Sequence, residues 1–344
     1  MTDQPLDTAR AILAELIAVP TVSAESNLAL IDRVESRLAA LGARTRRSLS
    51  PCGRKANLFA TLGPERAGGI VLSGHTDVVP AEPADWSTDP FEAVEREGRI
   101  HGRGACDMKG FLACALALAP RFAETRLARP LHLAFTYDEE VGCLGAPVLL
   151  GDMAEAGIRP AFCIVGEPTS MRAVEGHKGM CEYTTRFRGL SGHGSAPERG
   201  VSAVEYAARY VSRLLELRGE LRARAPEGSP YDPPWSTLQV GRVAGGVSHN
   251  VIAEHAEVDW ELRPVRREDR DRVLSEIDRY AAEELLPAMR AVHPAAAIAR
   301  EVIGEVEGLD PADAAEAAPL VAGLTGRGAR DCVASGTEGG ILAR

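Results

Sequence analysis

Two rhythms follow one another along this chain, and their order restricts the fold more than any other feature. Up to about Lys178, segments with apolar residues at helical spacing alternate with short, continuous apolar runs. Helical spacing shows at Ile12, Leu13, Leu16 and Ile17, and again at Leu28, Ile31, Val34, Leu38 and Leu41, which ends before Gly42. Strand-like runs occupy 57–62, 69–74, 131–137 and 161–166, and residues 108–119 are small and apolar throughout, a buried helix for which Asp107 is the expected N-cap. Strands alternating with helices predict an α/β fold with a mostly parallel sheet flanked by helices on both faces. After Lys178 the order becomes strand (181–187), helix (201–221), strand (236–243), strand (251–262), helix (269–292), strand (296–302). That succession predicts an α+β two-layer domain, inserted in the larger one. The expected boundaries are 1–178 for the first part of the larger domain, 179–305 for the insertion and 306–344 for the second part, which holds one helix (312–325) and one strand.

Length agrees, since 344 residues exceed what one core usually holds. A formal charge of −10 argues against a nucleic-acid-binding surface. The longest uncharged stretches, such as 110–120, are about half of the ~20 residues that cross a bilayer. The N-terminus is acidic and unlike a signal peptide, and the seven cysteines contain no Cys-x-x-Cys pair. A reduced, cytoplasmic setting is therefore expected, with neither a disulfide framework nor a cysteine–zinc knuckle. Only Lys55, Lys109 and Lys178 interrupt a basic complement that is otherwise arginine. Where lysine appears, a compact ammonium is called for.

Four groups of acids and histidine stand where strands end. In Ser73-Gly-His-Thr-Asp77, positions i and i+2 of an extended backbone put His75 and Asp77 on one face, where a carboxylate supports a metal-ligating imidazole. Asp107 opens the buried helix, where the helix dipole favours its ionised form. Asp138-Glu139-Glu140 follows an apolar strand directly, and Glu167 follows another. Each has an ordinary reading too: a satisfied histidine by a turn, a cap, a solvated charge run, an exit to solvent. Together they fall at the carboxyl ends of sheet strands, where open α/β sheets bind ligands. One imidazole with several carboxylates suits zinc, manganese or cobalt, and an acid left free of metal can act as general base.

Gly74-His-Thr-Asp-Val-Val-Pro, Trp86-Ser-Thr-Asp-Pro-Phe, Gly102-Arg-Gly-Ala-Cys-Asp-Met-Lys-Gly, Asp138-Glu-Glu and Gly166-Glu-Pro-Thr-Ser resemble the acetylornithine deacetylase and succinyl-diaminopimelate desuccinylase family of zinc amidohydrolases. The resemblance implies a zinc exopeptidase-like catalytic domain with an inserted lid and dimerisation domain. It implies a first zinc on His75, Asp107 and Glu167, and a second bridged by Asp107 and held by Glu140. Glu139 would be the general base and Asp77 would orient His75. In the insertion, His193 matches a histidine reaching the partner's active site in a homodimer, and Asn250 and Arg263 match positions that contact substrate, the arginine its carboxylate. Within the family, His177-Lys-Gly-Met and Ser191-Gly-His-Gly-Ser-Ala-Pro are most similar to the acetylornithine deacetylase branch. The implied reaction takes N-acetyl-L-ornithine and water to L-ornithine and acetate, in arginine biosynthesis. Desuccinylation, hydrolysis of other N-acyl amino acids or dipeptides, and a catalytically inactive binding role are the alternatives.

The family's chain runs on beyond Thr337-Glu338-Gly-Gly, through a final strand and a histidine that completes the second zinc site. No histidine follows His293 here, and neither His101 nor His249 lies in a matching motif. The expectation is a firmly held first ion, a weak or water-completed second one and an unpaired sheet edge.

Overall fold

The computed structural model describes residues 4–327 and 330–343. They form two compact units: 1–175 with 311–330 and 337–344, and 176–310 with 331–336.

The first unit opens with α1 (Gln4–Ile17) and α2 (Leu28–Ala39), followed by β1 (Arg44–Leu49), β2 (Ala56–Leu62) and β3 (Ile70–His75). A small hairpin, β4 (Val94–Arg96) and β5 (Arg99–His101), precedes α3 (Lys109–Glu124). Then come β6 (Leu131–Thr136), α4 (Gly145–Glu155) and β7 (Phe162–Val165), and β8 (Ala173–His177) carries the chain onward. The central sheet has the order β1-β2-β6-β3-β7. The sheet is mostly parallel, as expected: of its five strands β1, β6, β3 and β7 point one way, and β2 runs against them. β3 runs parallel to β6 and β7, while β1–β2 and β2–β6 are antiparallel. β1 is an arginine-rich edge strand with an exposed face, and no apolar run signals it in the sequence.

Helices cover both faces of this sheet. Ile12, Leu16 and Ile17 of α1, Leu30 and Leu38 of α2, and Leu112 and Leu116 of α3 bury themselves with Leu58, Leu133 and Phe135 on one side. Phe59, Val71 and Ala134 meet Leu149 and Met153 of α4 on the other.

One expected cap is corrected. Met108, not Asp107, is the N-cap of α3, and it makes no side-chain cap bond. Asp107 sits one residue earlier, and its carboxylate turns to His75 instead. Gly74 makes room for this. A Cβ there would meet Leu112 Cδ1 and Met108 Cε at 2.7 Å, so the start of α3 can lie directly against the end of β3.

The second unit has the β-α-β-β-α-β order. β9 (Met180–Arg188), α5 (Ala203–Ala223), β11 (Thr237–Gly245), β13 (His255–Arg263), α6 (Arg267–Tyr280) with α7 (Leu286–Val292), and β14 (Ala297–Val306) build an antiparallel sheet in the order β11-β13-β9-β14. The helix expected over 269–292 contains a π-helical turn, Ala281–Leu285. The strand expected over 251–262 is two, because β12 (Val251–Ile252) pairs with β10 (Gly192–His193) and only the remainder joins the sheet. Tyr183, Trp260, Phe187 and Tyr210 pack with Leu214 and Leu217 of α5 in its core. Buried Trp260 donates its indole N–H to Thr185 Oγ1 at 3.1 Å, as a buried indole requires.

Near the C-terminus, α8 (Ala317–Thr325) is shorter than expected, since 311–316 is turn. β15 (Arg330–Val333) and the single-turn α9 (Gly339–Leu342) follow. Among the described residues no helix is long and apolar enough to cross a membrane.

The lysines are interior cations. Lys109 Nζ donates to the carbonyls of Leu16 and Val19 at 2.9 and 2.8 Å, and Lys178 Nζ to those of Pro233 and Trp235 at 2.7 and 2.8 Å. Lys55 pairs with Asp138 at 2.5 Å and donates to the carbonyl of Ser23. A compact ammonium on a long stem reaches such buried carbonyls where a planar guanidinium does not fit.

Candidate metal centre

In the first unit the acids expected at strand ends converge on His75, which is 1% exposed at the end of β3. His75 Nε2 lies 3.1 Å from Asp107 Oδ1 and 3.9 Å from Glu167 Oε1. Two triples share the histidine. His75, Glu139 and Glu167 bring one ligand atom each within 4.8 Å of one another, and so do His75, Asp107 and Glu140. Glu139 thus stands with Glu167, and Asp107 with Glu140, a division that the sequence does not show.

Local structure explains each placement. Glu167 follows Gly166, where a Cβ would penetrate the Phe111 ring at 2.1 Å, so the β7 exit is drawn against the first turn of α3. Glu139 and Glu140 lie in the turn after β6. Asp138 takes a positive φ of 57° there and is pinned by Lys55. The Asp77 carboxylate organises that turn from within. It accepts from Ser23 Oγ at 2.7 Å and from the backbone amides of Glu139 and Glu140 at 3.0 and 3.2 Å. His75 Nδ1 bonds the main-chain oxygen of Asp77 at 2.9 Å, closer than its carboxylate at 3.6 Å.

The electrostatics are those of acids crowded away from water. Burial, then the charges of Glu167, Glu338 and Glu140, push the Glu139 carboxyl up to about 8. Burial and the charges of Asp107 and Glu140 raise Glu167 to about 7. Glu140 is also raised, chiefly by burial. Burial alone would lower His75, but hydrogen bonds to Asp107 and Asp77 push it up to about 12. Burial likewise opposes ionisation of Asp77, whose contacts with His75 and Ser23 nevertheless hold it low. Oε1 of Glu167 is buried without a hydrogen-bond partner among the described residues. An imidazole ringed by mutually repelling carboxylates, one oxygen of which is unsatisfied, is a donor set that fits a divalent cation such as zinc, manganese or cobalt.

Three further expected residues lie in the second unit. His193 is exposed on β10, and its Nδ1 is 2.8 Å from Ser195 Oγ. Asn250 is its neighbour. Gly194 N–H donates to the Asn250 carbonyl at 2.8 Å, and Ser248 Oγ donates to Asn250 Oδ1 at 2.8 Å. Arg263 ends β13, half-buried, with Nη2 donating to Glu261 Oε2 at 2.9 Å.

Ser23 and Glu338 escaped the sequence reading. Ser23 lies 54 positions before its partner Asp77, and nothing local marks it. Glu338 carried a signal, an acid set before two glycines in a motif already noted.

The chain is also similar to known proteins. The sequence profile of peptidase family M20/M25/M40 matches residues 71–334. An acetylornithine deacetylase from Myxococcus xanthus is 40% identical over 275 residues, covering 78% of this chain and 70% of that protein. The acetylornithine deacetylase of Pasteurella multocida (strain Pm70) is 37% identical over 257 residues, and the chain spans 73% of itself but only 66% of that relative's length. The crystal structure of aminopeptidase PepT from Bacillus cereus shares the fold, with a TM-score of 0.71 at 20% identity over 98% of this chain and 87% of that one. With the profile covering most of its length, this chain belongs to peptidase family M20/M25/M40.

Proposed function

We propose that the protein is a metal-dependent amidohydrolase that removes the acyl group of an N-acyl amino acid, with N-acetyl-L-ornithine as substrate and L-ornithine and acetate as products, a step of arginine biosynthesis. The observation that carries this reading is the pair of acid triples sharing buried His75. The acetylornithine deacetylase relatives support the choice of substrate.

His75, Asp107, Glu140 and Glu167 would hold zinc, one ion or two, with cobalt or manganese as substitutes. When bound, such a cation would supply Lewis acidity toward the acyl oxygen and lower the pKa of water from ~15.7 to about 7. Glu139 takes the proton of the attacking water on its carboxylate and returns it to the leaving amine nitrogen. Asp77 keeps the Glu139–Glu140 turn and His75 in register through the hydrogen bonds described above. His193 would donate to the developing oxyanion from the partner of a homodimer, Asn250 would contact substrate, and Arg263 offers a fork for its carboxylate. Residues 1–178 and 306–344 would then be the catalytic domain and 179–305 the lid and dimerisation domain. The seven cysteines, all free, support a cytoplasmic setting.

The test is zinc-dependent release of acetate from N-acetylornithine by the purified chain, beside N-acetylmethionine, N-succinyl-diaminopimelate and dipeptides. Preference for acetylornithine supports the reading. Equal use of all substrates removes the assignment within the family, and binding without turnover at saturating zinc removes the enzyme. Membership of a peptidase family makes dipeptide hydrolysis the second reading.

A further inference from the structure

Beneath the two triples the first unit buries polar atoms that the reading above leaves unused. Glu338, immediately before α9, is 1% exposed, and both of its carboxyl oxygens lack a hydrogen-bond partner among the described residues. The buried hydroxyls of Ser73 and Thr136 also lack one, as does Oε1 of Glu167. These groups are neighbours. Ser73 stands two positions before His75 on the same face of β3, and Thr136 is paired with His75 across the β3–β6 ladder. Glu338 lies beside Thr136, and its charge acts on His75, Asp77, Glu167 and Glu139. α9 packs against α4 and β7, which keeps Glu338 under the strand ends.

An unpartnered buried carboxyl is costly unless an opposite charge lies close by. Among the described residues, the titratable groups that interact most with Glu338 are the acids Asp77, Glu139 and Glu167, the thiols of Cys143 and Cys163, and one cationic group, His75. Burial and these acids raise the Glu338 carboxyl to about 7. Glu338 belongs to neither triple, so it does not offer a ligand atom alongside theirs. The remaining role for a buried acid in this place is electrostatic. We propose that Glu338 is a positioning residue for the cation, adding negative charge behind Glu139 and Glu167 and so tightening the hold of the His75 triples on a divalent ion. The inference rests on the metal-site reading above and names a residue that reading does not contain.

The experiment is calorimetric titration of the full chain, stripped with a chelator, with zinc or cobalt and without substrate. Glu338→Gln should weaken cation affinity by about 10–100-fold, the range for groups that support metal ligands. The melting temperature of the stripped variant should stay level or rise, because a repelling acid has gone. A lowered melting temperature with unchanged affinity would mean that Glu338 only packs, and overturns the proposal. Glu338→Asp guards against a glutamine variant that fails to fold. Keeping the charge, it should bind within about threefold of the parent, and a loss of about tenfold or more overturns the electrostatic role. A parent chain that binds no cation overturns the metal site itself, which is distinguishable from a parent and a Glu338→Gln variant that bind alike.

Discussion

His75 turns Nδ1 to the main-chain oxygen of Asp77, 2.9 Å away, and Nε2 to the carboxylate of Asp107, 3.1 Å away. A carbonyl oxygen only accepts, so Nδ1 carries a proton in either ring state and Nε2 is the nitrogen left for a cation. The Asp77 carboxylate, relieved of orienting the ring alone, holds Ser23 and the amides of Glu139 and Glu140. One residue thereby ties the end of β3 to the turn after β6.

Asp77→Asn tests that tie. An asparagine has one acceptor oxygen where the carboxylate has two, and its amide would face a backbone N–H. Hydrolysis and cation affinity should both fall by about 10–100-fold with the fold retained. A variant with parental affinity and parental kcat/KM would show that the turn holds itself.

Glu139→Gln separates chemistry from binding. Turnover should drop by about 10²–10⁴-fold, the contribution of a general base. Measured cation content should change little, since Asp107, Glu140, Glu167 and His75 remain. Undiminished turnover would exclude Glu139 as the base.

Removing metal should make stability depend on pH in a defined direction. In the stripped chain Glu139 is raised to about 8 and Glu167 and Glu338 to about 7, against an ordinary 4.5, and His75 is raised to about 12 against 6.5. All four raised groups bind protons more tightly folded than unfolded. Their stabilisation is therefore present at low pH and lost as pH rises through the folded values. Urea midpoints of the stripped chain should fall between about pH 6.5 and pH 8.5, and saturating zinc should flatten that slope. Midpoints that rise over this window, or that ignore zinc, would refute the crowding of these acids.

Lys109→Met leaves the buried carbonyls of Leu16 and Val19 without a donor. Each unsatisfied group costs about 1–3 kcal/mol, so the first unit should lose at least that much stability in urea unfolding. A change below about 0.5 kcal/mol would show that the ammonium's own burial, which lowers it to about 8, cancels the benefit.

Gly166→Ala sets a methyl against the Phe111 ring. Overpacking of this kind costs about 1–3 kcal/mol and shifts the adjoining backbone. Because Glu167 comes next, cation affinity should fall together with thermal stability. Loss of stability alone would mean that Phe111 moves and the β7 exit does not.

Much of this molecule could be read along the chain, because apolar periodicity is a local property. Residues 12–17 of α1, the apolar strands β2, β3, β6 and β7, and the six-element order of the second unit all show it. β1 did not, since an exposed arginine-rich edge strand takes its conformation from pairing with β2. Asp107 resembled a helix cap because sequence records its place before an apolar helix, whereas the nearby imidazole that claims its carboxylate comes from 32 positions away.

The same division holds for the acid centre. Sequence alone determined the kinds of residue present and their places at strand ends: His75 after Gly74, Glu139 and Glu140 after β6, Glu167 after Gly166. Tertiary structure decided which acid stands with which, that Asp77 binds the turn through Ser23 and two amides, and that Glu338 is buried beneath them. Those outcomes depend on how closely α3 lies on the strand ends and on how burial and neighbouring charges set each carboxyl's ionisation. Both are properties of distances in space, and residues remote along the chain set them.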